Sequence, residues 1–281
     1  MVRKNLLPRR IAKRYWKSRA QNDMLFLTAG ATCSQQQSSD ITRPHFHSTY
    51  TVSALEDGAL PLTLKGNTVT LHPGEIIIIG HNIPHLVDPS NLTDVCNYRT
   101  VTIDEASLSP IVISKIGDAQ NTVAKICDQK LWEDFVRGQQ DAECGDTKKL
   151  DVMKGLTESI FYEMSQNVIF RFSVSSPYVR SAIQYMEDNY MSAPSIDDLA
   201  RIANLSPFYL MRIFKEEVGI SLHAYMNQLR INRAQNLMRQ GESLLGITYE
   251  LGFADQSHFS KTFLKLTGVS PVSFNTTLTA N

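Results

Sequence analysis

The sequence has few features of a membrane or secreted protein. Its 281 residues contain no run of about 18 apolar side chains, which excludes a membrane-spanning helix. The N-terminus lacks the charged, apolar and small-residue order of a signal peptide. The four cysteines, Cys33, Cys96, Cys127 and Cys144, lie far apart without a CxxC pair, so we expect neither disulfides nor a cysteine zinc site. We therefore predict a cytoplasmic protein without a membrane partner.

The chain also has no net charge, because 28 Lys and Arg residues balance 28 Asp and Glu residues. The charges are nevertheless distributed unevenly. Residues 1–19 hold eight basic and no acidic side chains, whereas residues 20–176 hold 11 basic and 19 acidic ones. We predict a basic N-terminal arm over residues 1–22, which is either a solvated tail or an additional contact to DNA or to a partner.

Residues 23–117 have the pattern of a small β domain. Short β-branched segments alternate with Gly, Pro, Asn or Asp, at the spacing of a sandwich or barrel. The predicted strands read YTVSAL, LPLTL, NTVTL, EIIIIG and IVIS.

Residues 118–170 change to a helical period. The first predicted helix carries Val123, Ile126, Leu131 and Phe135, and the second carries Leu150, Met153, Ile160 and Phe161. Two such helices either cover the open face of the β domain or pair with another copy of the chain. We predict a dimerisation segment here, followed by a connector over residues 168–176.

From Pro177 onward the sequence contains repeated signals for the start and the end of helices. The predicted N-caps are Ser176, Ser195, Ser206, Ser221, Ser243 and Asp255, and the predicted helix ends are marked by Gly219, Gly241 and Gly252. Ser195 with Asp198 three residues later has the spacing of a capping box.

An internal repeat organises this helical region. The segment LARIANLSPFYLMRIFKEEVGIS at 199–221 matches ITYELGFADQSHFSKTFLKLTGVS at 247–270. Each copy is a short helix, a tight turn and a second helix, which predicts a duplicated helix-turn-helix over about 196–217 and 244–267. A helix fits the DNA major groove, where each base pair presents a distinct pattern of donors and acceptors.

The second helix of each copy has a core side and an outward side. The predicted core side chains are Leu210, Ile213 and Phe214 in the first copy and Phe259 and Phe263 in the second. The predicted DNA-contacting residues are Ser206, Phe208, Tyr209, Met211, Arg212 and Lys215 in the first copy, and Gln256, Ser257, His258, Ser260, Lys261 and Thr262 in the second. A long helix over residues 221–240 is expected to join the copies.

Residues 171–281 resemble the DNA-binding domain of the AraC/XylS family of bacterial transcription regulators. The resemblance rests on IDDLARIANLSPFYLMRIFKEEVGIS, on the linker YMNQLRINRAQNLM and on LGFADQSHFSKTFLKLTGVSPVSF. It implies two recognition helices that enter adjacent major-groove segments. Phe208 and Met211 are apolar departures at base-contacting positions, and Asn275 replaces an arginine that usually ends the family signature.

The stretch RPHFHSTYTVSALEDGALPLTLKGNTVTLHPGEIIIIGHNIPH resembles the cupin-like sensor domain of the same family. His45, His47 and His85 stand where enzymatic cupins place three imidazole metal ligands. The glutamate that such enzymes place shortly after the HxH pair is missing, since the next acidic residue is Glu56. A small-ligand pocket, a structural domain without a ligand and a metal site all remain open. We predict an effector pocket formed by His45, His47, Tyr50 and His85, with no metal or other cofactor.

The predicted fold is therefore α+β with two domains, a cupin-like β-barrel plus helices followed by an all-α domain over residues 171–281. The resemblance implies a homodimeric transcription regulator, usually an activator, that binds double-stranded promoter DNA, contacts RNA polymerase and responds to a small-molecule effector. No enzymatic activity is expected. The alternatives are a regulator controlled by a partner protein, and a metal-binding cupin sensor or enzyme fused to a DNA-binding domain.

Overall fold

The structure of the protein, a computed structural model, describes residues 25–33, 44–87, 96–105, 108–116, 121–142, 147–164, 166–192 and 194–279. The basic arm predicted at residues 1–22 lies outside the described residues. The strands are β1 Leu25–Cys33, β2 Tyr50–Asp57, β3 Leu60–Leu64, β4 Asn67–Leu71, β5 Ile76–Ile79, β6 His85–Val87, β7 Cys96–Ile103, β8 Thr122–Ile126 and β9 Val168–Arg171. The helices are α1 Pro110–Ile116, α2 Gln129–Ala142, α3 Thr147–Met164, α4 Pro177–Asn189, α5 Ile196–Ile202, α6 Pro207–Val218, α7 Leu222–Arg239, α8 Leu244–Glu250, α9 Gln256–Thr267 and α10 Pro271–Thr279.

The N-terminal domain is built from two antiparallel sheets. The larger sheet has the strand order β1-β7-β2-β5-β8-β9 and the smaller one has the order β4-β3-β6. Apolar side chains from both sheets, among them Leu62, Ile77 and Val123, pack together in one buried cluster. The two-domain prediction, a sheet-rich domain followed by a helical one, is confirmed.

Strand β2 shows how alternation divides the two faces of the larger sheet. Tyr50, Val52 and Ala54 join the core formed with the helices of this domain. Thr51 and Ser53 point to the opposite side, where they line a cavity. One strand therefore supplies both a packed face and a polar wall.

Helices α2 and α3 cover the larger sheet. Phe135 from α2 and Met153 and Phe161 from α3 are completely buried in the shared core. The two helices approach closely at Gly138, where an added Cβ would lie 2.7 Å from the Met153 sulfur. Covering the sheet is therefore one role of this segment, and pairing with another copy stays a prediction.

Two local predictions were wrong. Residues 111–114, predicted as a strand, belong to helix α1, which begins at Pro110, a residue favoured in the first helical turn. Residues 122–126, predicted within a helix, form β8 and pair with β5. Both are short apolar runs, in which periodicity does not distinguish strand from helix. Because β8 and β9 join the larger sheet, this sheet continues beyond residue 117 into the segment predicted to be helical.

The helices of the C-terminal domain begin and end where the sequence predicts. The side chains of Ser176, Ser195, Ser206, Ser221, Ser243 and Asp255 each accept a hydrogen bond from a backbone N–H in the first turn of a helix. The capping box of Ser195 and Asp198 is present. Helices α6 and α9 end at Gly219 and Gly268, whose φ angles of 87° and 73° lie in the left-handed region that favours glycine. Among the described helices, none has the length and hydropathy needed to cross a membrane.

Candidate DNA-binding face and interdomain cavity

Helix α6 presents a mostly apolar outer face. Leu210, Ile213 and Phe214 are buried in the domain core, as predicted. Phe208 is 75% exposed, and Tyr209 and Met211 are also exposed. The outward residues predicted for this motif, Ser206, Phe208, Tyr209, Met211, Arg212 and Lys215, all lie on the surface. The Arg212 guanidinium lies 5.0 Å from the centre of the Tyr209 ring, and its Nη1 donates to Glu216 over 3.0 Å.

Helix α9 presents a polar outer face. Phe259 and Phe263 are buried, as predicted. Gln256, Ser257, His258 and Lys261 are exposed, whereas Ser260 and Thr262 are partly buried. The Asp255 carboxylate accepts from the backbone N–H of His258 over 2.7 Å, which fixes the first turn of the helix.

A basic groove of about 660 Å³ lies between these two helices. Its polar lining includes Lys215, His223, Asn227, His258, Lys261, Thr262 and Lys265. Lys265 was not predicted, although it lies one turn after Lys261 and could have been found from that spacing. His223 and Asn227 were not predicted either, because they belong to the connecting helix α7 and only the fold brings them here. Cations in such a groove favour the phosphates of a nucleic acid.

An interdomain cavity of about 190 Å³ opens between the smaller and larger sheets and the C-terminal domain. Its walls from the N-terminal domain include His45, His47, Thr51, Ser53, Leu62, Ile77, His85 and Thr100. The C-terminal domain contributes Gln228, Asn232, Gln235 and Arg239 from α7 and Leu266 and Thr267 from α9. None of the six was predicted, since no local pattern marks these sides of α7 and α9 as cavity walls.

The cavity contains buried polar atoms from both domains that lack hydrogen-bond partners among the described residues. They are Thr51 Oγ1 in β2 and Gln228 Oε1 and Asn232 Nδ2 in α7. The other ends of the two amides bind each other, Gln228 Nε2 donating to Asn232 Oδ1 over 3.0 Å. Unsatisfied buried polar groups are uncommon in folded proteins, and in a cavity they offer hydrogen-bonding positions to a water molecule or a polar ligand.

Three of the four predicted effector residues come together at one end of the cavity. The rings of His45 and His85 have centroids 4.5 Å apart, and the His47 ring lies 5.0 Å from His45 and 5.3 Å from His85. We call His45, His47 and His85 the histidine cluster. Burial lowers the pKa of His85, which is only 5% exposed, and its hydrogen bond to Ile83 partly opposes this shift.

Tyr50, the fourth predicted effector residue, is not in the cavity. Its side chain is completely buried on the other face of β2, with its ring 4.9 Å from Phe161 and 4.1 Å from His81. The prediction failed because alternation along β2 turns Thr51 toward the cavity and Tyr50 toward the helices.

The residue between His45 and His47 joins the two domains. Phe46 is completely buried in the core of the C-terminal domain, and its ring lies 4.6 Å from Tyr225 of α7. Tyr225 in turn lies 5.6 Å from Phe214 of α6. The histidine cluster is therefore connected through one residue to the core of the first recognition helix.

Two polar contacts accompany this aromatic connection. Glu187 of α4 accepts from the Tyr225 hydroxyl over 3.0 Å and from Asn82 Nδ2 of the N-terminal domain over 3.4 Å. Burial raises the pKa of Glu187, with the Tyr225 hydrogen bond acting in the opposite direction. Burial also raises the pKa of Asp104, and the charge of Arg239 opposes this shift.

Comparisons with known proteins give two domain matches. Residues 30–130 match the AraC-like ligand binding domain, and residues 199–277 match the helix-turn-helix domain family. The transcriptional regulator YbfI of Bacillus subtilis, described as uncharacterized, is 23% identical over 223 residues, which cover 76% of this chain and 80% of that protein.

A longer sequence match and a structural match agree with the two domain matches. The transcriptional regulatory protein HptR of Staphylococcus aureus is 24% identical over 243 residues, which cover 82% of this chain and 88% of that protein. A crystal structure of apo ToxT from Vibrio cholerae superimposes with a TM-score of 0.56 at 16% identity, covering 93% of this chain and all of that one. The ToxT likeness shows a shared fold.

Proposed function

We propose that this chain, which belongs to the AraC family of transcriptional regulators, controls promoters in response to a small molecule bound in the interdomain cavity. The family assigns a ligand-binding domain and a DNA-binding domain to one polypeptide. The cavity supports the further step, because its unsatisfied polar atoms belong to both domains: Thr51 on one side and Gln228 and Asn232 on the other. A ligand that hydrogen-bonds to both sides favours one arrangement of the domains over others.

Helix α9 gives the cavity a direct connection to DNA. Its first turns carry Gln256, His258 and Lys261 on the surface, whereas Leu266 and Thr267 in its last turn line the cavity. An effector that displaces the last turn by a fraction of an ångström also displaces the base-reading turn, because a packed helix moves as a unit. The effector thus changes the affinity for DNA, and the size of this change is set by the ratio of the effector's own affinities for the two domain arrangements.

The cavity limits the effector to a compact molecule. Its volume of about 190 Å³ is below the range of drug-sized pockets, which begins at about 300 Å³. Hydroxyl and amide groups lie beside apolar side chains such as Leu62 and Ile77, so the effector combines polar groups with a small apolar part. A structure of ToxT from Vibrio cholerae contains an unsaturated fatty acid, which supports a ligand-binding role for this fold.

We further propose that the regulator is a cytoplasmic homodimer without catalytic activity, and that it activates transcription through contact with RNA polymerase. In this dimer the exposed side chains of α3, Val152 at 59% and Tyr162 at 49%, would contact the second copy. Sedimentation of the full chain at micromolar concentration tests this part. A monomer for the wild type would contradict it, and Tyr162→Glu is expected to dissociate a dimer.

The DNA-binding proposal is tested by selection of genomic DNA fragments with the purified full-length protein, followed by sequencing. We expect a motif with two elements about one helical turn apart, the spacing of two recognition helices on one face of the duplex. The matched control is Gln256→Ala, which lacks an exposed amide on α9 and should enrich the motif less. Equal enrichment of unrelated sequences by both proteins would contradict sequence-specific binding.

The effector proposal is tested separately by the melting temperature of the same protein across a library of small metabolites. A true effector stabilises the folded state and alters DNA affinity, because binding to one arrangement shifts the equilibrium toward it. Asn232→Leu removes the whole side-chain amide, both the buried Nδ2 and the Oδ1 that accepts from Gln228, and should weaken the response while preserving the DNA motif. A library without any reproducible shift would favour control by a partner protein instead.

A further inference from the structure

We propose that the histidine cluster of His45, His47 and His85 binds one divalent transition-metal ion of the zinc, cobalt or nickel type. The ligand nitrogens of the three residues all lie within 4.8 Å of one another. This proposal goes beyond effector control, because an ion can bind here whether or not the cavity also takes an organic ligand. It differs from the prediction of no metal, which rested on the missing carboxylate.

The backbone places the three imidazoles on one side of the chain. His45 and His47 are two residues apart in an extended segment, so their side chains point the same way while Phe46 points the opposite way. His45 and His85 exchange both backbone hydrogen bonds, each of 2.9 Å, and therefore lie directly opposite one another. The carbonyl of His47 accepts from the Asn82 N–H over 2.8 Å. Three backbone contacts thus hold the cluster together.

The hydrogen bond of His85 leaves one ring nitrogen for a metal. Its Nδ1 lies 2.9 Å from the carbonyl oxygen of Ile83, an acceptor, so Nδ1 carries the proton and donates. The remaining nitrogen, Nε2, then has a lone pair available for a metal. Histidine ligands commonly donate their second ring nitrogen to a backbone carbonyl in this way, which fixes the tautomer and raises the basicity of the ligand.

The distances allow closure around an ion. Tetrahedral zinc with bonds of about 2.0–2.1 Å holds its nitrogen ligands about 3.4 Å apart. The cluster therefore closes by small rotations of the imidazoles, whose χ2 angles are soft. Three neutral nitrogens suit zinc, cobalt and nickel better than magnesium or calcium, which prefer oxygen.

Three histidines leave at least one coordination position for a molecule from the cavity. A catalytic cupin arrangement would add a carboxylate, whereas the described residues place only the three imidazoles in this cluster. The bound ion keeps its double positive charge and therefore favours an anionic or strongly polar fourth ligand. Arg239 lines the same cavity and adds a second positive group.

The ion would act on the DNA-binding domain through Phe46. Closing the cluster fixes the segment from His45 to His47, and Phe46 in that segment packs on Tyr225, which packs on Phe214 of α6. Metal occupancy is thus coupled to the support of the first recognition helix. The structure assigns no chemical reaction to the ion.

The test uses full-length protein without a polyhistidine tag, freed of metal with a chelator and titrated with cobalt(II) and with zinc(II). Cobalt(II) in a site of three imidazoles gives visible d–d absorption, a readout that does not depend on DNA binding. We expect one ion per chain and a higher melting temperature in its presence. His45→Asn and His47→Asn, whose rings are only partly buried, should each lower the affinity at least about 10-fold.

The control is His72→Asn, an exposed histidine outside the cluster, which should bind cobalt(II) like the wild type. Circular dichroism of each variant shows that the fold is retained, and the more buried His85 is left unchanged for that reason. The proposal is overturned if the wild type fails to bind one ion, or if the cluster variants bind as tightly as His72→Asn. Failure of metal binding would leave the selected DNA motif unaffected, so the two proposals fail separately.

Discussion

The two recognition helices, α6 and α9, have the same frame and different outer faces. Each has 12 residues, a side-chain N-cap and a left-handed glycine at its end. The surface of α6 carries Phe208 and Met211, whereas that of α9 carries Gln256 and Lys261. The two copies of the motif thus share the signals that start and end the helix, and they differ in the surface that they expose.

The outer faces indicate different ways to contact DNA. An exposed glutamine amide pairs with adenine and a lysine with guanine, which is direct readout of base edges. Phenylalanine and methionine offer only apolar contact, for example with thymine methyl groups. Arg212, a long cation at the centre of the α6 face, is already engaged by Glu216 and Tyr209. We infer that α9 supplies most of the sequence specificity.

The inner sides of the two helices also differ. Helix α6 is connected to the N-terminal domain by the stack of Phe214, Tyr225 and Phe46. Helix α9 reaches the interdomain cavity through Leu266 and Thr267. Helix α6 is therefore held to the N-terminal domain by apolar packing, whereas the last turn of α9 can contact a molecule bound in the cavity.

Breaking the aromatic stack should have the largest effect. Phe46→Ala removes a completely buried ring, and such truncations cost about 3–5 kcal/mol. We expect the two domains to unfold in separate transitions. In a Trp16→Phe background, which leaves one tryptophan, the fluorescence of Trp132 follows the N-terminal domain, because its Nε1 donates to the Leu55 carbonyl over 2.9 Å. Circular dichroism follows mainly the helices.

The matched control for this experiment is Phe46→Leu, which keeps most of the buried apolar area. For this variant and for the wild type we expect closely coincident fluorescence and dichroism transitions in urea. If Phe46→Ala also kept coincident transitions at an unchanged midpoint, the stack would not be the connection between α6 and the N-terminal domain.

The difference between the outer faces gives an effect of intermediate size. Gln256→Ala in α9 should weaken binding to the selected motif by about 1–3 kcal/mol, or about 5- to 150-fold, and relax the preference at one base pair. Met211→Ala in α6 should cost less than about 1 kcal/mol, because only apolar contact is lost. Fluorescence anisotropy with labelled motif DNA at several salt concentrations measures both.

Lys261→Ala distinguishes a phosphate contact of this lysine from a base contact in the same assay. If Lys261 contacts a phosphate, its removal weakens binding to all sequences and lowers the salt slope by about one. If it contacts guanine, the loss is confined to one base pair. A larger loss for Met211→Ala than for Gln256→Ala would reverse our assignment of specificity to α9.

The helical half could be predicted because its signals are local. Ser206 followed by Pro207, or Ser195 with Asp198, fixes a helix start by contacts within one turn. The outward and core sides of α6 and α9 then follow from helical periodicity. This is why Leu210, Phe214, Phe259 and Phe263 were correctly expected to be buried.

The N-terminal half was predicted less well because its pairing is long-range. Residues 122–126 form a strand because β5 offers them a partner from a distant part of the chain, and such non-local pairing leaves no mark on the local pattern. The cavity depends on residues that lie even farther apart in the sequence, since Thr51 and Asn232 face it from different domains. The resemblance to cupins could therefore identify the three histidines but not the α7 side chains opposite them.

The smallest effect is expected at Glu187, which accepts a hydrogen bond from Tyr225 and so supports the contact of Tyr225 with α6. Burial raises the pKa of this carboxyl, so the folded state favours its neutral form. The associated stability is present below the unfolded pKa of about 4.3 and is lost as the pH rises through the higher folded pKa. The Glu187→Gln variant should lack this loss, and its advantage over the wild type should grow toward neutral pH.

We expect the difference to be a fraction of the ~1.4 kcal/mol that one pKa unit represents, because the carboxylate is partly exposed and solvent screens it. Urea denaturation from mildly acidic to neutral pH measures it, with the exposed Glu242→Gln as a control. The neighbouring Asp188 also raises the pKa of Glu187, so Asp188→Asn should give a smaller change of the same sign. A wild type that gains stability relative to Glu187→Gln with rising pH would show instead that the ionised carboxylate supports Tyr225, and with it α6.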